Sequence, residues 1–177
     1  MKISFHGADR DVTGSCHLLE CAGKRILIDC GMYQGGRELV EENAEPFGFD
    51  PASIDYLLLT HAHLDHCGRI PLLLKRGFQG EVITTAASVE LARLVMLDSA
   101  GLQEEEARYQ SRRAKRHGHH NNTGHGGSHA AKHDLDIAPL YNTVDALNSL
   151  DCFGRKAEYD KVLELAPGIR ATFIDAG

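Results

Sequence analysis

Six residues, His61-Ala62-His63-Leu64-Asp65-His66, hold three imidazoles and a carboxylate. They follow directly on an apolar, strand-like run, Tyr56-Leu57-Leu58-Leu59-Thr60. Imidazole nitrogen and carboxylate oxygen are the donors a borderline cation such as zinc prefers. In extended backbone alternate residues share a face, so His61 and His63 point the same way and can grip one ion. Asp65 and His66 lie beyond a turn, at the start of an expected helix, where they can face a second ion. Two ions held ~3.5–4 Å apart can share a hydroxide and clamp both oxygens of a displacement at phosphorus. The bland alternative, a polar loop that happens to be rich in His, does not explain this spacing behind an apolar strand.

Several elements must position that run. Lys2–His6, Ser15–Cys21 and Arg25–Cys30 read as strands, the last two joined in a hairpin through Ala22-Gly23-Lys24. Ile26-Leu27-Ile28 ends at Asp29 and opens into a loop with Gly31 and Gly35-Gly36. A carboxylate leaving a strand there stands where α/β active sites gather. Asp50-Pro51-Ala52-Ser53 signals a short helix before the strand that carries the histidines. Beyond them, Cys67 to Arg76 reads as a helix closed by Gly77, and Glu81–Thr85 as a strand. Ser88 is expected to cap a long helix with Leu91, Leu94, Val95 and Leu97 on its apolar face. Its continuation from Gln103 to Arg116 runs acidic to basic, which suits the helix dipole and reads as a solvated end, with a basic patch for a polyanion as the alternative. A short helix near Val144–Leu147 and two strands, Lys161–Leu165 and Arg170–Asp175, joined at Pro167-Gly168, complete the pattern.

Composition narrows the class. At 177 residues the length suits one domain, and 42% apolar with 25% charged residues describes an ordinary globular chain. No apolar run reaches the ~20 residues of a membrane span, and the N-terminus lacks a signal-peptide core. Five cysteines with no C-x-x-C pair argue against a disulfide framework, so a cytoplasmic location is expected. A net charge of −6 speaks against a broad basic face for nucleic acid, but bound metal can supply local positive charge. Residues 117–133 hold six of the eleven histidines among Gly, Asn and Ser, and are expected to form a disordered surface insertion.

These residues resemble the metallo-β-lactamase superfamily and, within it, the β-CASP RNA-processing nucleases. H-x-H-x-D-H alone is shared across the superfamily. The narrower likeness lies in Thr13-Gly14-Ser15, Leu27-Ile28-Asp29-Cys30-Gly31, the run from Thr60 to Phe78, the Thr84-Thr85 strand end, Leu97-Asp98-Ser99-Ala100 and Pro139-Leu140-Tyr141. The resemblance implies an α/β fold, the αββα sandwich, with this chain covering its N-terminal half. It implies two zinc ions, one bound by His61 and His63 and one by Asp65 and His66. Asp65 would serve in catalysis, and Asp29 would orient a ligand by hydrogen bonding rather than touch metal. Cys67 and Cys30 are expected as small buried hydrophobes, and His6 and His17 as packed or surface histidines.

In the family a further metal-binding His follows a Gly, and Phe173 to Gly177 resembles the approach to it. Later ligands and the inserted β-CASP domain are not in the sequence, so each ion would have two protein ligands where a catalytic zinc usually has three. The chain therefore reads as part of a zinc-dependent RNA phosphodiesterase, inactive alone, with RNA as partner of the complete enzyme. It is expected to present an apolar sheet face open to self-association or complementation. Two alternatives remain: hydrolysis of a small thioester or lactone, and a non-catalytic metal-binding module.

Overall fold

The computed structural model describes residues 1–8, 12–36, 41–118 and 138–176, apart from the side chains at 114–118. A six-stranded sheet runs in the order β1 (Lys2–Phe5), β2 (His17–Cys21), β3 (Lys24–Ile28), β4 (Tyr56–Leu58), β5 (Glu81–Thr85), β6 (Phe153–Ala157). β1, β2 and β3 pair antiparallel, and β3 through β6 pair parallel. β7 (Val162–Ala166) and β8 (Ile169–Thr172) form a separate antiparallel hairpin turned at Gly168, whose φ of +80° suits a residue without Cβ.

Two apolar layers follow from strand alternation. Leu18, Leu27, Leu57 and Val82 face one side, where they pack with Met96, Tyr141, Leu73 and Phe78 from the helical layer. Ile26 and Ile83 face the other and pack against Leu165 and Ile169 of the hairpin. The hairpin leaves the β1 edge of that second face open, with Ile3 51% and Phe5 58% exposed. The fold is α/β with a mixed sheet, as expected of half the sandwich.

The helical elements depart from the sequence reading in ways that matter for the site. Asp50 accepts from the Ala52 backbone as a cap, but the element it starts is one 3-10 turn, Pro51–Ser53. The single helix expected over Cys67–Arg76 is two: α1 (Leu64–Cys67) and α2 (Ile70–Lys75), separated at Gly68 and Arg69. Pro71 in the first turn of α2 lacks the N–H that a continuous helix would need. Helix α1 therefore begins earlier than expected and contains both Asp65 and His66. The strand before it ends at Leu58, which leaves Thr60 to His63 in irregular backbone.

α3 (Ala86–Gly118) starts two residues ahead of Ser88, and its cap is Thr85, whose Oγ1 accepts from the Ser88 N–H at 3.3 Å. Its buried face is Ala92, Met96, Ser99 and Ala100, while Leu91 and Leu94 are 55% and 61% exposed. Of the expected face, Val95 and Leu97 pack partly buried against the core while Leu91 and Leu94 turn outward, and the small side chains of Ala92, Ser99 and Ala100 let α3 come close to α1 and the sheet. α4 (Thr143–Ser149) carries a capping box between Asn142 and Asp145. The sequence reading missed β6 altogether. The disordered insertion expected at 117–133 lies, from residue 119 onward, outside the described residues; residues 117 and 118 end α3.

Candidate metal centre

The carboxyl ends of β3 and β4, parallel neighbours in the sheet, bring Asp29 and the Thr60–His66 segment together. The loop after β3 and the segment before β2 are stitched to α1 through backbone groups that a helix end otherwise leaves unpaired. Met32 N donates to Leu64 O at 3.0 Å, Ser15 N to Asp65 O at 2.9 Å and Cys30 N to His66 O at 2.8 Å. Gly31 packs so closely on the Asp65 carbonyl that a Cβ there would overlap it. Arg69 closes the loop from below: its backbone N donates to Cys30 O at 2.9 Å and its Nε to Gly31 O at 2.6 Å. The guanidinium itself is buried against the Tyr33 and Phe47 rings. These contacts fix the rotation of α1, and with it the direction of Asp65 and His66.

Asp29 lies at the centre, 2% exposed and at φ +60°, a left-handed conformation that Asp tolerates better than most residues. Its carboxylate is surrounded by donors. Oδ1 accepts from Thr60 N at 2.8 Å and Thr60 Oγ1 at 3.0 Å. Oδ2 accepts from Thr60 Oγ1 at 2.9 Å and Ser15 Oγ at 3.3 Å, and lies 2.8 Å from His66 Nδ1. A buried carboxylate with this many partners is satisfied rather than stranded.

The four side chains singled out by spacing lie together as two pairs of donor atoms. His61 Nε2 is 3.1 Å from His63 Nδ1, and the two rings meet edge-on at 4.7 Å. His66 Nε2 is 3.5 Å from Asp65 Oδ2. His61 and His66 bring the pairs side by side, with ring centroids 3.9 Å apart. Two nitrogens bonded to one tetrahedral zinc at ~2.05 Å would sit roughly 3.3 Å apart, close to the His61–His63 spacing. The donor chemistry thus fits zinc. The number of donors per point does not exceed a pair: among the described residues, no three His, Cys, Asp or Glu side chains converge as a single ion site.

Electrostatics separate the two inner histidines. Burial, reinforced by the neighbouring His66 and His63, pushes His61 below its usual value and favours a neutral ring with a free lone pair. The hydrogen bond to Asp29 raises His66, against the opposing effect of burial. The nearby thiols offer no ready ligand. Burial drives Cys67 up to about 12 and Cys30 well above its usual range, and both side chains are fully enclosed. His17 packs edge-on against Phe5, and His6 against Phe49. Sequence reasoning did not single out Thr60, Ser15 or Arg69 as members of the site. Their only signal was position: Thr60 next to the His run, Ser15 in a turn motif, Arg69 just after α1.

The class this fold and site define is an α/β protein with paired histidine and carboxylate side chains at the carboxyl ends of parallel strands. The chain belongs to the metallo-beta-lactamase superfamily, whose family model matches residues 9–138. Membership implies dependence on a metal ion. A ribonuclease of Thermus thermophilus is 50% identical over 105 residues, which cover 59% of this chain and 24% of that protein. A transcription termination factor of Methanosarcina mazei is 30% identical over 182 residues, covering 100% of this chain and 23% of that protein. The cleavage and polyadenylation specificity factor 73 of Drosophila melanogaster is 38% identical over 101 residues, covering 55% of this chain and 14% of that protein. The resemblance to the RNA-processing β-CASP group agrees with these relatives. The chain spans about a quarter, or less, of the length of the relatives it matches.

Proposed function

We propose that this chain supplies the two-metal donor set of a zinc-dependent ribonuclease that cleaves RNA phosphodiester bonds. The observation that carries the reading is the pairing itself: His61 Nε2 with His63 Nδ1, and Asp65 Oδ2 with His66 Nε2, side by side. Each pair would hold one ion. When bound, zinc lowers the pKa of water to about 7 and offsets charge on phosphoryl oxygens. The chain's own residues do the positioning. Asp29 keeps the His66 ring turned so that Nε2 faces outward, and the backbone stitches from Ser15, Cys30 and Met32 hold α1 in place. No described residue is assigned the proton donor for the leaving oxygen.

Since a catalytic zinc usually has three protein ligands, further donors must come from outside the described residues, by complementation or self-association. Without them we expect the 177 residues to be inactive. RNA is preferred as substrate because the relatives' names are those of a ribonuclease and of termination and polyadenylation factors. The same reading places the protein in the cytoplasm, where its five free cysteines stay reduced. None of the described helices is long and apolar enough to cross a membrane.

Equilibrium dialysis against zinc tests the donor set, alongside cleavage of a labelled single-stranded RNA. The wild-type chain should bind zinc, and His63→Ala and Asp65→Ala should each bind less. The chain alone should leave the RNA intact. Absence of zinc binding by the wild type sinks the metal-centre reading, whereas brisk cleavage by the chain alone, lost in His61→Ala, sinks only the claim that donors are missing.

A further inference from the structure

Thr60 stands where a single hydroxyl meets Asp29 and one ring of each pair. Its Oγ1 is 3.0 Å from Asp29 Oδ1 and 2.9 Å from Oδ2, 3.0 Å from His61 Nδ1 and 3.5 Å from His66 Nδ1. A hydroxyl has one hydrogen to give and lone pairs to receive with, and a carboxylate can only accept. The Thr60 hydrogen therefore goes to Asp29. That leaves Oγ1 facing His61 Nδ1 as an acceptor, which requires a proton on Nδ1 and so, in the neutral form of the ring, none on Nε2. The lone pair is then on Nε2, the atom turned toward His63 Nδ1 at 3.1 Å. His66 Nδ1, at 2.8 Å, reaches the same carboxylate directly.

We propose that Thr60 is a positioning residue that relays the Asp29 carboxylate to His61, so that one buried acid sets the tautomer of both His61 and His66. The two rings belong to different donor pairs. Asp29 thus presents Nε2 of one ring in each pair, directly for His66 and through the Thr60 hydroxyl for His61. Thr60 is itself held in register, since its backbone N–H donates to Asp29 Oδ1 at 2.8 Å. The relay rests on the reading of His61 as a metal ligand, but the tautomer it sets exists without metal.

The test compares the wild type with Thr60→Val, which keeps the shape and removes the hydroxyl, and Thr60→Ser, which restores it. Long-range proton–nitrogen NMR spectra of the 15N-labelled, metal-free chain read which ring nitrogen of His61 carries the proton. The wild type and Thr60→Ser should show the proton on Nδ1. Thr60→Val should move it toward Nε2, leave His66 on Nδ1, and weaken zinc binding by about 10- to 100-fold, with Thr60→Ser close to wild type. A wild-type spectrum with the His61 proton on Nε2 overturns the relay, and needs no variant to fold. So does a folded Thr60→Val chain with its His61 tautomer unchanged. Failure of the metal reading is distinct: no form binds zinc, yet the tautomers still follow the hydroxyl.

Discussion

At the residue scale the centre is governed by one carboxylate whose every neighbour is a donor. This gives Asp29→Asn a definite meaning. Asn tolerates the left-handed backbone at φ +60° much as Asp does, so the change acts on hydrogen bonding rather than on the loop. Whichever way the new amide turns, its NH2 must face a donor, either the Thr60 N–H or the His66 Nδ1–H. Zinc affinity should fall by roughly 10- to 100-fold by equilibrium dialysis; an unchanged affinity would remove Asp29 from the site. The grouping of His61, His63, Asp65 and His66 was legible in the sequence because its information is local, four side chains in six positions. Thr60 and Ser15 were not. Their meaning comes from contact with Asp29, and for Thr60 that partner is 31 positions away in the chain.

Elements divide in the same way between local signal and tertiary override. Strands β2 to β5 were readable from apolar runs and turn residues, since both are properties of short windows. β6 was not, because Phe-Gly-Arg-Lys-Ala lacks β-branched residues and contains a glycine. A Cβ at Gly154 would crowd the Glu81 side chain, which binds Arg155 across the strand pair, so the glycine leaves that ion pair its room. On α3 the expected apolar face holds in part: Val95 and Leu97 pack against the core, Leu91 and Leu94 do not, and Ala92 and Met96 lie deepest. Met96→Ala, at a fully buried position, should therefore cost about 2–5 kcal/mol in denaturant unfolding, whereas Leu94→Ala should stay within about 0.5 kcal/mol. The reverse order would restore the face inferred from sequence. The loop–α1 seam makes its own prediction. Gly31→Ala should destabilise the chain by about 1–3 kcal/mol and also weaken zinc binding, because the methyl must push the Asp65 carbonyl aside. Loss of stability with zinc affinity intact would separate the seam from the site.

Across the whole molecule, ion pairs bridge neighbouring strands of the sheet, and their titration sets how the fold responds to acid. Arg155 donates to both oxygens of Glu81 and holds that carboxyl below its ordinary value of 4.5. Between β3 and β4, burial alone would raise Asp55. Hydrogen bonds from Lys24 Nζ and the Arg25 N–H outweigh it and place Asp55 below 3.8. A carboxyl whose folded pKa is depressed binds its proton more readily in the unfolded chain. Its contribution is complete above the unfolded value and disappears as pH falls through the folded one. Stability measured by urea unfolding should therefore be flat in these two groups above about pH 5 and should decline below about pH 4.5. Both pairs are partly open to water, so salt should shrink the effect. The double variant Glu81→Gln with Asp55→Asn should start less stable at neutral pH and lose less on acidification. If its decline between pH 5 and 3 matches the wild type's, acid sensitivity originates elsewhere, and the two pairs do not brace the sheet that carries Asp29 and the His61–His66 run.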